Sequence, residues 1–196
     1  MNNFTDNSQA ITEEVKKIIS QVSVEVTEGV IKEIVDSERI FVFGAGRSGL
    51  AGKAFAMRLV HLGKNVYFVG SAVTPAIGPE DVLITISGSG KTNSVVNVAK
   101  TAKNQGSKII SISTQDESPL AEVTDHLVKI PINRKPDKGG NYLERQLVKK
   151  EHQDITPMGT LFELSSMIYF DSIVPVLMEK MGISESIMKE KHANLE

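Results

Sequence analysis

Five short runs rich in Ile, Val and Phe alternate with helix-patterned segments, and glycine-rich turns follow two of those runs directly. These observations predict an α/β fold, a three-layer doubly wound sandwich with a five-stranded parallel sheet, because crossovers of one hand place helices on both faces of such a sheet. A length of 196 residues suits a single domain over 1–196 and is short for two ordinary ones.

After a polar start over 1–10, expected to be mobile, Ile11, Val15, Ile18, Val22, Val26, Val30 and Ile34 recur at helical spacing and predict one long amphipathic helix. Arg39–Phe43 reads as a buried strand, Ser48–His61 as a helix and Asn65–Val69 as a second strand closed by Gly70. Val82–Ile86 is the third strand, Asn93–Asn104 a helix stopped near Gly106, Lys108–Ile112 the fourth strand and Leu127–Ile130 the fifth. Pro119–Val123 supplies a short helix before that last strand. Residues 131–156 turn polar, with Pro136 and Gly139-Gly140, and read as a long loop or lid. Thr156 as N-cap and Pro157 in the first turn then open a helix to about Met181. That helix is apolar on nearly all faces and therefore expected to be buried, with a kink at Pro175. Ser184–His192 is the last helix.

Hydrophobic residues make up 40% and charged residues 23%, as in globular proteins. A formal net charge of -2 with both signs interspersed forms no broad basic face, so nucleic acid is not an expected partner. The absence of cysteine excludes disulfides, thiolate zinc sites and a cysteine nucleophile, and suits a reducing compartment. The start lacks a basic region followed by an apolar run, and no apolar stretch is expected to reach the length that crosses a bilayer. A cytoplasmic protein without a membrane partner is the expectation.

Gly44-Ala45-Gly46-Arg47-Ser48-Gly49 has the G-x-G-x-x-G form between a strand and a helix, so a dinucleotide is the first hypothesis. Dinucleotide folds place a carboxylate at the end of the second strand to hold the ribose, whereas here that strand closes with Phe68-Val69-Gly70-Ser71. What remains is a helix N-terminus with exposed backbone N–H groups, flanked by the donors of Arg47 and Ser48, which suits a phosphate monoester. Ser87-Gly88-Ser89-Gly90-Lys91-Thr92 follows the third strand and resembles the end of a Walker A loop, but Thr85 stands where that loop needs its first glycine. A small nest with three hydroxyls fits one phosphate better than the phosphate chain of ATP. Either loop alone could equally be a tight turn serving close packing; two in one sheet favour a ligand. Ser111-Ile112-Ser113-Thr114-Gln115 adds hydroxyls at the end of the fourth strand, readable as ligand contacts or as turn and cap residues, with the turn favoured.

Candidate acids and bases are few. Glu163 lies among apolar neighbours, where burial would suit it to proton transfer, yet Thr160–Glu163 has capping-box spacing, and spacing alone favours the cap. His61 at a helix end, His126 before a strand and His152 in the polar loop have no strong case, and His192 near the chain end would not be chosen on spacing. Asp171, as a buried anchor, and Glu151, as a loop charge, are weaker still.

The stretches 41–49, 55–63, 86–90, 156–163 and 192–195, in this order, resemble the SIS, or sugar isomerase, domain family, and within it the 6-phospho-3-hexuloisomerases. The resemblance covers nearly the whole chain. It implies a homotetramer without cofactor or metal that converts D-arabino-hex-3-ulose 6-phosphate to fructose 6-phosphate, the second step of the ribulose monophosphate route of formaldehyde fixation or detoxification, coupled to a hexulose-phosphate synthase. Carried over by position, it implies that Ser48, Ser87, Ser89 and Thr92, with Gly46, Arg47 and Gly88, hold the phosphate, and that Glu163 and His192 form the acid–base pair. Lys91 departs from the family, which often has Glu there. Two rival readings are a non-catalytic sugar-phosphate sensor and an isomerase of another phosphosugar; no basic DNA-binding segment is attached to favour the first.

Overall fold

In the computed structural model, which describes residues 4–132, 156–157, 159–192 and 194, the five apolar runs pair into one parallel sheet. The strands are β1 (Arg39–Gly44), β2 (Asn65–Phe68), β3 (Asp81–Ile86), β4 (Lys108–Ser113) and β5 (His126–Lys129), in the order β2-β1-β3-β4-β5. Every residue of β3 is buried, as befits a central strand covered on both faces. Arg39 pairs with Asp81 across β1 and β3, donating at 2.9 and 2.7 Å and fixing the register at the strands' beginnings. At the other end Gly44 aligns with Ile86, so the glycine turns that follow these two strands emerge side by side.

Alternation along the strands sorts the core into two layers. Ile40, Val42, Val82, Ile84, Ile86, Ile110 and Ile112 face the larger layer with Phe55, Leu59, Phe170 and Leu177, whereas Phe41, Leu83 and Ile109 face Val95, Ala99 and Ala102. The first layer is covered by α1 (Phe4–Ile19), α2 (Val24–Asp36), α3 (Gly46–His61) and α5 (Thr160–Met181), the second by α4 (Asn93–Asn104). Phe55 of α3 stacks on Phe170 of α5 with ring centroids 4.3 Å apart and planes 9° from parallel.

Several expectations are corrected. The single long N-terminal helix is two helices, and the polar start is helical from Phe4. Ser20 and Gln21 both turn side-chain donors onto Lys17 O, at 2.9 and 2.8 Å, which ends α1, and Ser23 Oγ then accepts from Val26 N–H to cap α2. The later helix starts at Thr160, because Gly159, at φ 85°, turns the chain into it; Thr156 and Pro157 form a bend ahead of it. At 22 residues α5 does reach membrane-spanning length, but Phe162, Tyr169, Phe170, Ile173 and Leu177 are buried, making it a core helix. It continues through Pro175 to Met181. Pro119–Val123 narrows to a 3-10 turn over Ala121–Val123, and α6 (Glu185–Glu190) is capped by Ser184. The greater part of the 131–156 loop, residues 133–155, lies outside the described residues.

Candidate active site

A 2-1-3-4-5 strand order reverses direction between β1 and β3, and ligands of open parallel sheets bind beyond the carboxyl ends of the strands at that switch point. A cavity of about 430 Å³ lies there, lined by Ser48 from the first turn of α3, Gly88, Ser89 and Lys91 from the β3–α4 turn, and Gly159 and Glu163 from the start of α5. Thr114, Gln115, Ile132 and Phe162 complete its wall. Three helices, α3, α4 and α5, thus begin at one cavity. Each N-terminus carries the positive end of a helix dipole and unbonded N–H groups, so together they favour an anion.

Local packing sets each turn. A Cβ on Gly49 would lie 2.3 Å from Gly44 O, so α3 can leave β1 this abruptly only without a side chain there. Part of the glycine loop therefore serves close packing, alongside its exposure at the cavity. In the β3–α4 turn, Ser87 is buried and donates to Thr92 Oγ1 at 3.3 Å, and Ser89 Oγ accepts from Lys91 N–H at 3.2 Å. Thr92 caps α4 without a side-chain bond to the helix.

Glu163 is placed by its own helix. Its N–H donates to Gly159 O at 2.9 Å, and a Cβ on Gly159 would come within 2.9 Å of Glu163 Oε1, so glycine serves both the positive φ and the carboxylate's position. The capping-box reading fails, since Thr160 is already helical and the Glu163 carboxylate instead accepts from Arg47 Nε of the β1–α3 turn. The Glu163 side chain is only 12% exposed, while the Arg47 side chain is 67% exposed. The result is a sequestered carboxylate held against the glycine loop, in the first turn of a helix where negative charge is favoured.

Of the residues singled out in the sequence, Ser48, Gly88, Ser89 and Glu163 line the cavity, Gly46 and Arg47 open α3 beside it, and Ser87 and Thr92 belong to the β3–α4 turn. His192 lies elsewhere in its own chain, with its ring 5.1 Å from that of His61 at the far end of α3. A 16-residue helix separates that end from the cavity by about 24 Å. Asp171 is not a buried anchor: its side chain is 54% exposed and accepts from Arg58 Nε at 3.4 Å. His126 pairs with Glu33 at 3.4 Å, and Glu151 and His152 lie outside the described residues.

Thr114 and Gln115, expected as turn residues, face the cavity, and so does Lys91. Ser111 is neither a turn residue nor a cavity residue: it lies within β4, buried and bonded to the Thr85 and Thr124 hydroxyls at 2.8 and 2.7 Å. Thr114 and Gln115 reach the cavity because the strand order sets the end of β4 next to the β3–α4 turn.

Fold and site together define a doubly wound α/β domain with a cavity at its switch point. The SIS domain model matches residues 33–144, and the chain belongs to that family. It is 34% identical over 98% of its length to the 3-hexulose-6-phosphate isomerase of Bacillus subtilis, of which 98% is covered, and 43% identical over 85% of its length to that of Methylomonas aminofaciens, of which 86% is covered. Among solved structures, a Methanococcus jannaschii protein with an inferred molecular function of 3-hexulose-6-phosphate isomerase superimposes with a TM-score of 0.79 at 33% identity, covering 95% of this chain and 97% of that one.

Proposed function

We propose that this chain, as one domain over 1–196, is a 6-phospho-3-hexuloisomerase that interconverts D-arabino-hex-3-ulose 6-phosphate and D-fructose 6-phosphate. One observation carries the reading: three helix N-termini and a sequestered carboxylate meet at one cavity. The first suits a phosphate, the second a proton shuttle beside its sugar. In this reading Ser87, Gly88, Ser89 and Thr92 wrap the phosphate, and Gly46, Arg47 and Ser48 close on it from the neighbouring turn.

The carbonyl moves from C3 to C2 when the C2 proton is removed, a cis-enediol forms across C2 and C3, and a proton returns at C3 while a hydroxyl proton passes from O2 to O3. All electrons stay in the substrate, so no redox group is needed. Glu163 shuttles the carbon-bound proton, and Arg47 holds its carboxylate towards the reacting carbons. With the C6 oxygen esterified, a 3-ulose 6-phosphate cannot close its usual five-membered ring and arrives open.

His192, remote from the cavity of its own chain, acts in this reading on a neighbouring subunit's substrate, polarising the carbonyl or relaying the hydroxyl proton. The apolar surface supports an oligomer, which we take to be a homotetramer: Ile11, Val15, Ile19, Leu164 and Ile168 line an open groove between α1 and α5, and Leu50 is 63% exposed on α3. We assign the enzyme to the cytoplasm and to the ribulose monophosphate route, consuming the product of a hexulose-phosphate synthase in formaldehyde fixation or detoxification.

Incubating the purified protein with fructose 6-phosphate and detecting the 3-ulose tests the activity; an inert protein ends the reading. Glu163→Gln should lose at least ~10²-fold in turnover while still binding fructose 6-phosphate, and near-normal turnover would remove Glu163 from the shuttle role.

A further inference from the structure

The cavity wall opposite the glycine loop is organised by one carbonyl. Gly88 O accepts from Thr114 Oγ1 at 2.7 Å, from Thr114 N–H at 3.1 Å and from Ser113 Oγ at 3.4 Å, which locks the end of β4 to the β3–α4 turn. A threonine hydroxyl has one proton to donate. Because that proton is committed to Gly88 O, the Gln115 side-chain atom 2.9 Å from Thr114 Oγ1 has to be a donor, so it is Nε2. The amide orientation of Gln115 is therefore fixed by chemistry, and its Oε1 remains as a hydrogen-bond acceptor on a residue that lines the cavity. Ser48, Ser89 and Lys91 bring hydroxyl or ammonium donors to the same cavity; apart from Glu163, no other lining side chain among the described residues carries a carbonyl or carboxylate acceptor.

Phosphate oxygens call for donors, whereas a sugar hydroxyl has a proton to give. Gln115 is tied through Thr114 to the phosphate turn, and Glu163 marks the reacting C2 and C3, which leaves C4 and C5 between them. We propose that Gln115 determines specificity by accepting a hydrogen bond from the C4 or C5 hydroxyl of the sugar phosphate, with Thr114 as the residue that positions its amide. This rests on the isomerase reading above.

Wild type and Gln115→Ala are compared on D-fructose 6-phosphate and its 4-deoxy and 5-deoxy analogues, so that the intrinsic reactivity of each substrate cancels between the two proteins. The expected result is a loss of ~10-fold or more in kcat/KM for fructose 6-phosphate, with kcat/KM for one deoxy analogue kept within ~2-fold of wild type. Equal losses on all three substrates, or no loss on any, would overturn the role of Gln115 while an active wild type leaves the isomerase reading standing. A wild type inert towards fructose 6-phosphate overturns both.

Discussion

Gly49 and Glu163 illustrate two ways a single residue fixes this site. At Gly49 the constraint is steric: the atom a Cβ would strike is backbone, Gly44 O at 2.3 Å, which cannot rotate aside. Gly49→Ala should open the β1–α3 turn, cost about 1–3 kcal/mol in denaturant melts and weaken inhibition by inorganic phosphate. A variant with wild-type stability and wild-type phosphate inhibition would show that the turn tolerates the extra methyl. At Glu163 the constraint is electrostatic. The guanidinium of Arg47 reaches it across 116 residues of sequence, from a side chain that is itself mostly in solvent, and orients an otherwise secluded carboxylate.

Among the elements, α3 links the two ends of the molecule: Gly46 opens it at the cavity and His61 closes it beside α6. Burial pushes the His61 imidazole below its ordinary pKa, and the neighbouring charges of His192 and Arg58 push the same way. A histidine whose folded pKa is lowered contributes stability that is fully present above its unfolded value, about 6.5, and is lost as pH falls through the folded value. Docking of α6 should therefore weaken on acidification from pH 7 to about 5. Amide exchange over Glu185–Glu190, corrected for intrinsic rates, should quicken over that range in wild type and change less in His61→Asn. An identical response in His61→Asn would assign the effect to another group.

For the whole molecule, the uneven cover of the sheet matters most. Four helices crowd the larger core layer, and its outer surface leaves Leu164 and Ile168 of α5 38% and 45% exposed beside the apolar side of α1. An apolar strip of this kind is consistent with subunit contact. Ile168→Glu should shift the proposed tetramer to smaller species in light scattering and lower activity with it, if His192 serves a neighbouring cavity. A variant of unchanged mass would place the contact on another face.

What the chain determined without its tertiary structure was the set of elements and the chemistry of its turns. β-branched periodicity, glycines after two strands and helical spacing are local, so Asn93–Asn104 is found as read and the five strands lie within a residue or two of their expected bounds. The break at Ser20–Ser23 was missed because apolar spacing ran through it, while the side-chain bonds that end α1 compete with helix at short range. Tertiary structure alone decided which turns share a cavity, that Glu163 faces Arg47 instead of capping its helix, that Gln115 lines the cavity and that His192 sits beside His61 at the far end of α3. Those outcomes depend on strand order and on helix α5 folding back over the sheet, contacts between residues far apart in sequence that no local pattern encodes.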